Sequence, residues 1–341
     1  MSNSTQPRLS ICIATFNRGN FIGETLDSIL SQAGDEVEIV ILDGGSTDDT
    51  AARVQPYANR YPRLRYLRQE TNLGVDRDFN TAVEAATGEY CWLMSDDDLL
   101  KPGAIRAVLD SLGPYSLVVV NAEVRSFDFA RLLEDRRLPF DIDRRYEPQE
   151  MDRLFVEAGG YLTFIGCVVI KRSVWLERAK EPYFGSLFIH VGVIFQQRLP
   201  GPVLALAPPF ITIRYGNAMW KPKEFEIWMF KWPGLIWSLA GLSDAGRRSH
   251  CRAEPWRTPK TLLYYRAKGT YSMEEYRRWI QPRVTSFWEG FAARLIARVP
   301  GVIANTLGLI YYSALGPKWR MAVADMKQSR YHYKNVSASS V

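Results

Sequence analysis

Tyr90-Cys91-Trp92-Leu93-Met94-Ser95-Asp96-Asp97-Asp98 is an uncharged run of mainly large side chains, sized like a buried strand, that ends on three consecutive carboxylates. Leu99-Leu100-Lys101-Pro102-Gly103 and a helical pattern follow. Three like charges side by side repel, so the cluster costs stability unless a cation or solvent relieves it. Hard oxygen ligands at the mouth of a strand suit Mg2+ or Mn2+, ions that keep waters and also take substrate phosphates. An acidic helix cap is the competing reading, because carboxylates favour helix N-termini and Pro102 suits a first helical position. The surroundings of the triplet decide between them.

Upstream, Leu9–Thr15 reads as a buried strand followed by the turn Phe16-Asn17-Arg18-Gly19-Asn20. Ile22, Leu26, Ile29 and Leu30 then mark one helix face. Val37–Leu42 is a second strand ending in Asp43-Gly44-Gly45, with Ser46 and Asp49 forming a capping-box-like start for the next helix. Leu64–Leu67 is a short third strand; Phe79, Val83 and Ala86 mark a helix ended by Gly88. After the fourth strand, Tyr90–Met94, a helix over Ala104–Leu112 leads to a fifth, Leu117–Asn121. This alternation predicts an α/β fold with a mainly parallel central sheet and helices on both faces. Ligands of such sheets bind outside the carboxyl ends of the strands. Thr15 and Asn17, Asp43 and Gly44, and Asp96–Asp98 all stand at such ends, so three polar clusters should converge on one crevice. Neither GxGxxG nor GxxxxGK[ST] occurs, which sets dinucleotide and P-loop chemistry aside.

Beyond residue 122 the pattern loosens. Residues 125–155 read as a charged loop with a short helix from Glu147, and Gly166–Ile170 as a strand returning to the sheet. Val203–Tyr215 reads as one or two strands broken by Pro208-Pro209. Hydrophobic content of 47% with 23% charge fits a globular chain. Cys12, Cys91, Cys167 and Cys251 lie far apart without a CxxC pair, which predicts reduced structural thiols in a cytosolic setting. Met1–Arg8 is polar and shows no signal-peptide pattern.

The net charge of +6 hides an asymmetry: residues 1–215 carry 23 − 29 = −6, and residues 216–341 carry 20 − 8 = +12 and eight of the ten Trp. Phe225, Trp228, Met229, Trp232, Leu235 and Ile236 form an aromatic stripe beside Lys221, Lys223 and Lys231. Later, Phe287, Trp288, Phe291 and Leu295 lie at helical spacing near Arg294 and Arg298. The stretch 299–317 is uncharged up to Pro317, yet poorly apolar for a span. A plain helical subdomain with core aromatics is one reading; a basic, aromatic surface lying on an anionic membrane face is the other, and is favoured. No nucleic-acid recognition module is legible.

Ser10–Arg18, Thr25–Gln32, Glu38–Thr50, Asn72–Gly88 and Glu89–Pro102 together resemble family 2 glycosyltransferases, in the family's order, over residues 8–115. The later segments are similar to bacterial sugar transferases of surface-polysaccharide assembly, the abequosyltransferase-like branch among them. The resemblance implies a GT-A type glycosyltransferase domain over residues 1–215, with a nucleotide-sugar half (8–122) and an acceptor half (123–215). A mostly helical, basic and aromatic region follows from residue 216, peripheral on the cytoplasmic face of the inner membrane. It implies that Ala14, Thr15, Asn17, Asp43, Gly44, Asp76, Arg77 and Asp96 border the nucleotide-sugar, and that Asp97 and Asp98 hold Mg2+ or Mn2+, which neutralises the diphosphate leaving group. Transfer would be inverting and would need a base for the acceptor hydroxyl, the acceptor being a lipid-linked glycan.

Two departures from the family pattern bear on specificity and catalysis. Relatives often carry a second Asp at the Gly44 position, suited to accept the uracil N3–H, so CDP or another non-uridine nucleotide is favoured over UDP here. Relatives also place a carboxylate base in the segment matching Phe184–Phe195, where His190 is the only titratable side chain. With its ordinary pKa near ~6.5, His190 is the candidate base, and Asp76 is the next to test. Two other readings compete: nucleotidyl transfer on a similar fold, which would want a better phosphate loop than Phe16-Asn17-Arg18-Gly19, and a non-catalytic membrane scaffold, against which the intact Asp96–Asp98 cluster speaks.

Overall fold

The computed structural model describes residues 6–338. The chain divides into two units, residues 1–214 with 238–250, and residues 215–237 with 251–341. In the first unit the elements run β1 (Leu9–Thr15), α1 (Gly19–Leu30), β2 (Val37–Asp43), α2 (Thr50–Arg60), β3 (Leu64–Arg68), α3 (Val75–Ala85) and β4 (Tyr90–Met94). They continue with β5 (Leu99–Leu100), α4 (Ala104–Ser111), β6 (Leu117–Ser126), β7 (Leu132–Glu134), β8 (Arg144–Tyr146) and α5 (Met151–Ala158). Then follow β9 (Val168–Lys171), α6 (Arg172–Glu177), α7 (Ile189–Phe195) and β10 (Val203–Tyr215).

The sheet order is β3-β2-β1-β4-β9-β6-β10-β5, with β7 on β6 and β8 on β10. β1 pairs in parallel with β2 and β4, and β2 with β3. Every residue of β1, β2 and β4 is buried, as strands covered on both faces must be. Ile22, Leu26 and Ile29 of α1 and Phe79 and Val83 of α3 supply part of that cover. From β9 onward the added ladders are antiparallel: β9 against β4 and β6, and β10 against β5 and β8. The indole N–H of Trp92 donates to the Gly166 carbonyl at 2.8 Å, tying β4 to the segment that enters β9.

Three local expectations are corrected. β10 is one continuous strand, because side chains replace the ladder around Pro208-Pro209. Asp143 accepts the Ala207 N–H at 2.8 Å and the Asn121 amide donates to the Ala207 carbonyl at 2.7 Å. At the start of α2 the N-cap residue Asp49 makes no side-chain capping bond; Asp48 accepts the Thr50 N–H at 3.0 Å, and Ser46 serves the preceding turn instead. Gly88 does not cap α3. It sits where β1 passes so closely that a Cβ would lie 2.9 Å from the Ser10 nitrogen.

The second unit is helical, with α8 (Glu224–Glu226) and α9 (Trp232–Ser238); α10 (Asp244–His250) returns to the first unit, and the second resumes with α11 (Pro259–Lys268) and α12 (Met273–Glu275). α13 (Phe287–Arg298), α14 (Gly301–Ala314), α15 (Arg320–Lys327) and α16 (Tyr333–Ala338) complete it. Phe225 and Met229 pack with Trp256, Tyr265, Tyr271 and Ile280 in its core. Trp232, Leu235 and Ile236 are buried too, so the first aromatic stripe is ordinary helical core and not membrane-facing. All four cysteines are buried free thiols.

Candidate active site

Parallel pairing sets the carboxyl ends of β1, β2 and β4 side by side. Thr15 lies opposite Asp43 and Ile13 opposite Met94, which brings Asn17, Gly44 and Asp96–Asp98 to one edge of the sheet. Ala14 and Thr15 are buried at the end of β1, and the Thr15 carbonyl accepts the Gly44 N–H at 2.9 Å. Asn17, at φ 54°, lies in the left-handed region that Asn tolerates. Its carboxamide oxygen accepts the Thr47 N–H at 2.7 Å and its own N–H donates to the Ser46 hydroxyl at 2.8 Å, locking the β1 and β2 turns together. Asp43 is fully buried; it accepts the Ser46 N–H at 2.7 Å and the Tyr66 hydroxyl, so its carboxylate builds the turn.

The acidic triplet is held by two arginines. The Arg18 guanidinium reaches Asp96 at 3.4 Å and Asp97 at 3.1 Å. The Arg214 N–H donates to Asp98 at 2.8 Å, and its guanidinium donates to the Asp97 carbonyl at 3.1 Å and pairs with Glu24. Asp98 also accepts the Ser95 hydroxyl. Burial first, and the neighbouring Asp97 second, push the Asp96 carboxyl up to about 7 despite Arg18, and push Asp98 up as well. Burial and mutual repulsion thus disfavour the charges of the cluster, which a cation would relieve. Among the described residues no set of three His, Cys, Asp or Glu side chains converges as a metal cage. The donor set fits an ion that takes one or two carboxylates and completes its shell with phosphate and water oxygens, as Mg2+ and Mn2+ do. Asp97 pairs with Arg18, whereas Asp98, expected beside it as a ligand, accepts from both Ser95 and Arg214 inside the fold.

Asp76 and Arg77, expected to border the donor, both contact the segment that leads into α7. Asp76 is buried and accepts the N–H groups of Leu187 at 2.9 Å and Ile189 at 3.1 Å, pinning the loop before α7, a poor situation for a base. Arg77 is exposed, with its guanidinium 4.2 Å from the Phe184 ring centroid. His190 corrects the expectation of a catalytic base. It is fully buried in α7, its Nε2 donates to the Leu162 carbonyl at 2.8 Å, and Nδ1 is buried without a hydrogen-bond partner among the described residues. Burial pushes the imidazole down to about 4. It is neutral, but an acceptor hydroxyl has no path to its lone pair.

Sequence reasoning missed Arg18, Arg214 and Asp78. Arg18 was legible as the residue after Asn17 in the β1 turn. Asp78 lies two residues past Asp76, and its Oδ2 stands 2.9 Å from where a Cβ on Gly44 would be. Burial, then the charges of Asp43 and Asp76, push its carboxyl up to about 6. The place left by the missing second Asp of β2 is thus filled by a carboxylate from α3. Gly44 therefore gives no ground for disfavouring a uridine nucleotide.

Comparison with known proteins agrees with this geometry. The description Glycosyl transferase family 2 matches residues 10–175. Abequosyltransferase RfbV of Salmonella typhimurium is 27% identical over 231 residues, 63% of this chain and 69% of that protein. Two solved structures share the fold. S. aureus TarS 1-349 in complex with UDP-GlcNAc superposes with a TM-score of 0.55 at 16% identity, covering 94% of this chain and 92% of that one. The mannosyltransferase PcManGT from Pyrobaculum calidifontis, in complex with GDP-Man and Mn2+, gives 0.54 at 17% identity, covering 98% and 88%. Residues 10–175, just under half of this chain, match the family 2 glycosyltransferase description, and the protein is a glycosyltransferase.

Proposed function

We propose that the protein transfers a sugar, with inversion, from a nucleotide-sugar to a lipid-linked glycan of surface-polysaccharide assembly, at the cytoplasmic face of an anionic membrane. The observation that carries the reading is the buried, mutually repelling Asp96–Asp98 cluster at the shared end of β1, β2 and β4. Ala14, Thr15 and the Asn17-locked turns floor the nucleotide site, with Asp43 and Gly44 shaping its wall and Asp78 offering a carboxylate behind Gly44. Asp96 and Arg18 border the donor, and Arg77 lies at the rim. Asp97, with Asp98 behind it, would hold Mg2+ or Mn2+, which supplies charge neutralisation for the departing diphosphate. With His190 withdrawn, the acceptor proton passes to a crevice carboxylate. Polysaccharide assembly is supported by the relationship to the Salmonella abequosyltransferase.

A thermal-shift panel of UDP, GDP and CDP, each with and without Mn2+, tests this reading. A nucleotide diphosphate that binds the folded state should raise the melting temperature, more with Mn2+ than without. No shift with any of the three, in the presence of Mn2+, would defeat it.

A further inference from the structure

The second unit wears two of its helices inside out. α13 and α14 turn mostly small residues inward, Gly290, Ala293 and Ala297 on one and Gly301 and Ala304 on the other. Their large apolar side chains point outward: Trp288 is 73% exposed, Leu307 62% and Ile310 63%. A helix covering a soluble core shows the reverse arrangement, and large apolar side chains exposed in this number mark a binding face. Between Val299 and Lys318 the chain carries no charge, whereas residues 287–341 hold seven Lys and Arg against two Asp and Glu, a net 7 − 2 = +5.

Geometry fixes how such a face can be used. At ~1.5 Å per residue, the 12 residues of α13 and the 14 of α14 each fall short of the ~30 Å hydrocarbon core. The two helices are bent by 94° at Val299-Pro300, and among the described residues no single helix is long and apolar enough to cross a membrane. Two short helices with outward apolar faces suit burial along an interface. We propose that the α13–α14 elbow lies in the interfacial layer of an anionic bilayer, its outward side chains in the acyl boundary. The exposed Arg294, Arg298, Lys318 and Arg320 stand at headgroup level. A second copy of the chain is the poorer occupant, because a symmetric dimer through this face would set basic rim against basic rim. The proposal rests on the membrane part of the proposed function and names the element and the mode, an interfacial elbow.

The test uses the full chain and its double variant Leu307→Glu with Ile310→Glu, mixed with vesicles of phosphatidylcholine alone or with phosphatidylglycerol. Wild type should partition onto the anionic vesicles and keep a share of that binding near 1 M salt, where charge attraction is screened within ~3 Å. The variant should bind about 100-fold more weakly, from the loss of two buried aliphatic groups. Its thermal shift with nucleotide diphosphate and Mn2+ should match wild type, since neither residue belongs to the crevice. Equal partitioning of variant and wild type overturns the proposal. So does a wild type that ignores vesicles, including one whose sedimentation shows a dimer that the variant loses. A wild type that binds vesicles through the elbow but shows no nucleotide shift leaves the elbow standing and defeats the proposed function alone.

Discussion

His190→Gln removes the only ionisable side chain between Phe184 and Phe195 and distinguishes a structural histidine from a catalytic one. The folded imidazole titrates at about 4, pushed down by burial, against an ordinary value near ~6.5. Between those values the unfolded chain binds a proton that the folded chain refuses. Stability therefore drops as pH falls from about 6.5 to about 4, by ~1.4 kcal/mol per unit or ~3 kcal/mol in all; above that window the residue contributes no slope. Asp78 acts in the opposite direction. Its folded carboxyl titrates at about 6 against an ordinary ~3.9, so the folded chain keeps a proton that the unfolded chain has released. Stability falls as pH rises from about 4 to about 6, by ~2 kcal/mol once solvent access to the carboxyl is allowed for. The two contributions nearly offset one another in the wild type. Urea melts across about pH 4 to 7.5 should show His190→Gln destabilised by ~1–2 kcal/mol at the upper end, from the lost bond to Leu162, with the deficit shrinking and reversing on acidification. Asp78→Asn should show the mirror image, ~2 kcal/mol more stable than wild type near pH 7.5 and level with it near pH 4. A constant offset between His190→Gln and wild type at every pH would refute the buried neutral imidazole. In turnover, kcat of His190→Gln should stay within about threefold of wild type; a loss of ~10²–10⁴ in the folded variant would return the base role to His190.

Gly44→Asp should cost about 2 kcal/mol in urea melts, because its Cβ would press on Asp78 Oδ2 from 2.9 Å and set two buried carboxylates together. Adding Asp78→Ala to it should restore most of that loss, and failure of the rescue would show that Asp78 does not occupy the vacated place. Asp97→Asn should leave the melting temperature within a few degrees of wild type but abolish the Mn2+-dependent part of the nucleotide shift together with transfer. Retention of both would remove Asp97 from the ion site.

The parallel half of the fold was legible because its strands are buried on both faces. Such strands read as uninterrupted apolar runs between polar turns, and β1 and β4 begin and end where those runs do. The crevice followed from topology, since parallel strands deliver their polar ends to one edge. What the sequence could not show is where each polar atom's partner stands. Pro208-Pro209 looked like a break because the atoms that bridge it come from Asn121 and Asp143. Asp97 and Arg214 lie 117 residues apart, and no local pattern joins them. His190 and Asp76 were picked for their chemistry in an apolar segment and a family motif, yet one donates to Leu162 and the other accepts from Leu187 and Ile189. An apolar surrounding argues for a neutral imidazole and, equally, for one that no substrate reaches. The same reasoning strengthens the acidic triplet. Its carboxyls too are buried, but even with Arg18 beside Asp96 and Asp97 the Asp96 carboxyl remains pushed up to about 7. A buried polar group whose needs are met inside the fold is structural; one left in electrostatic deficit is where a ligand has something to add.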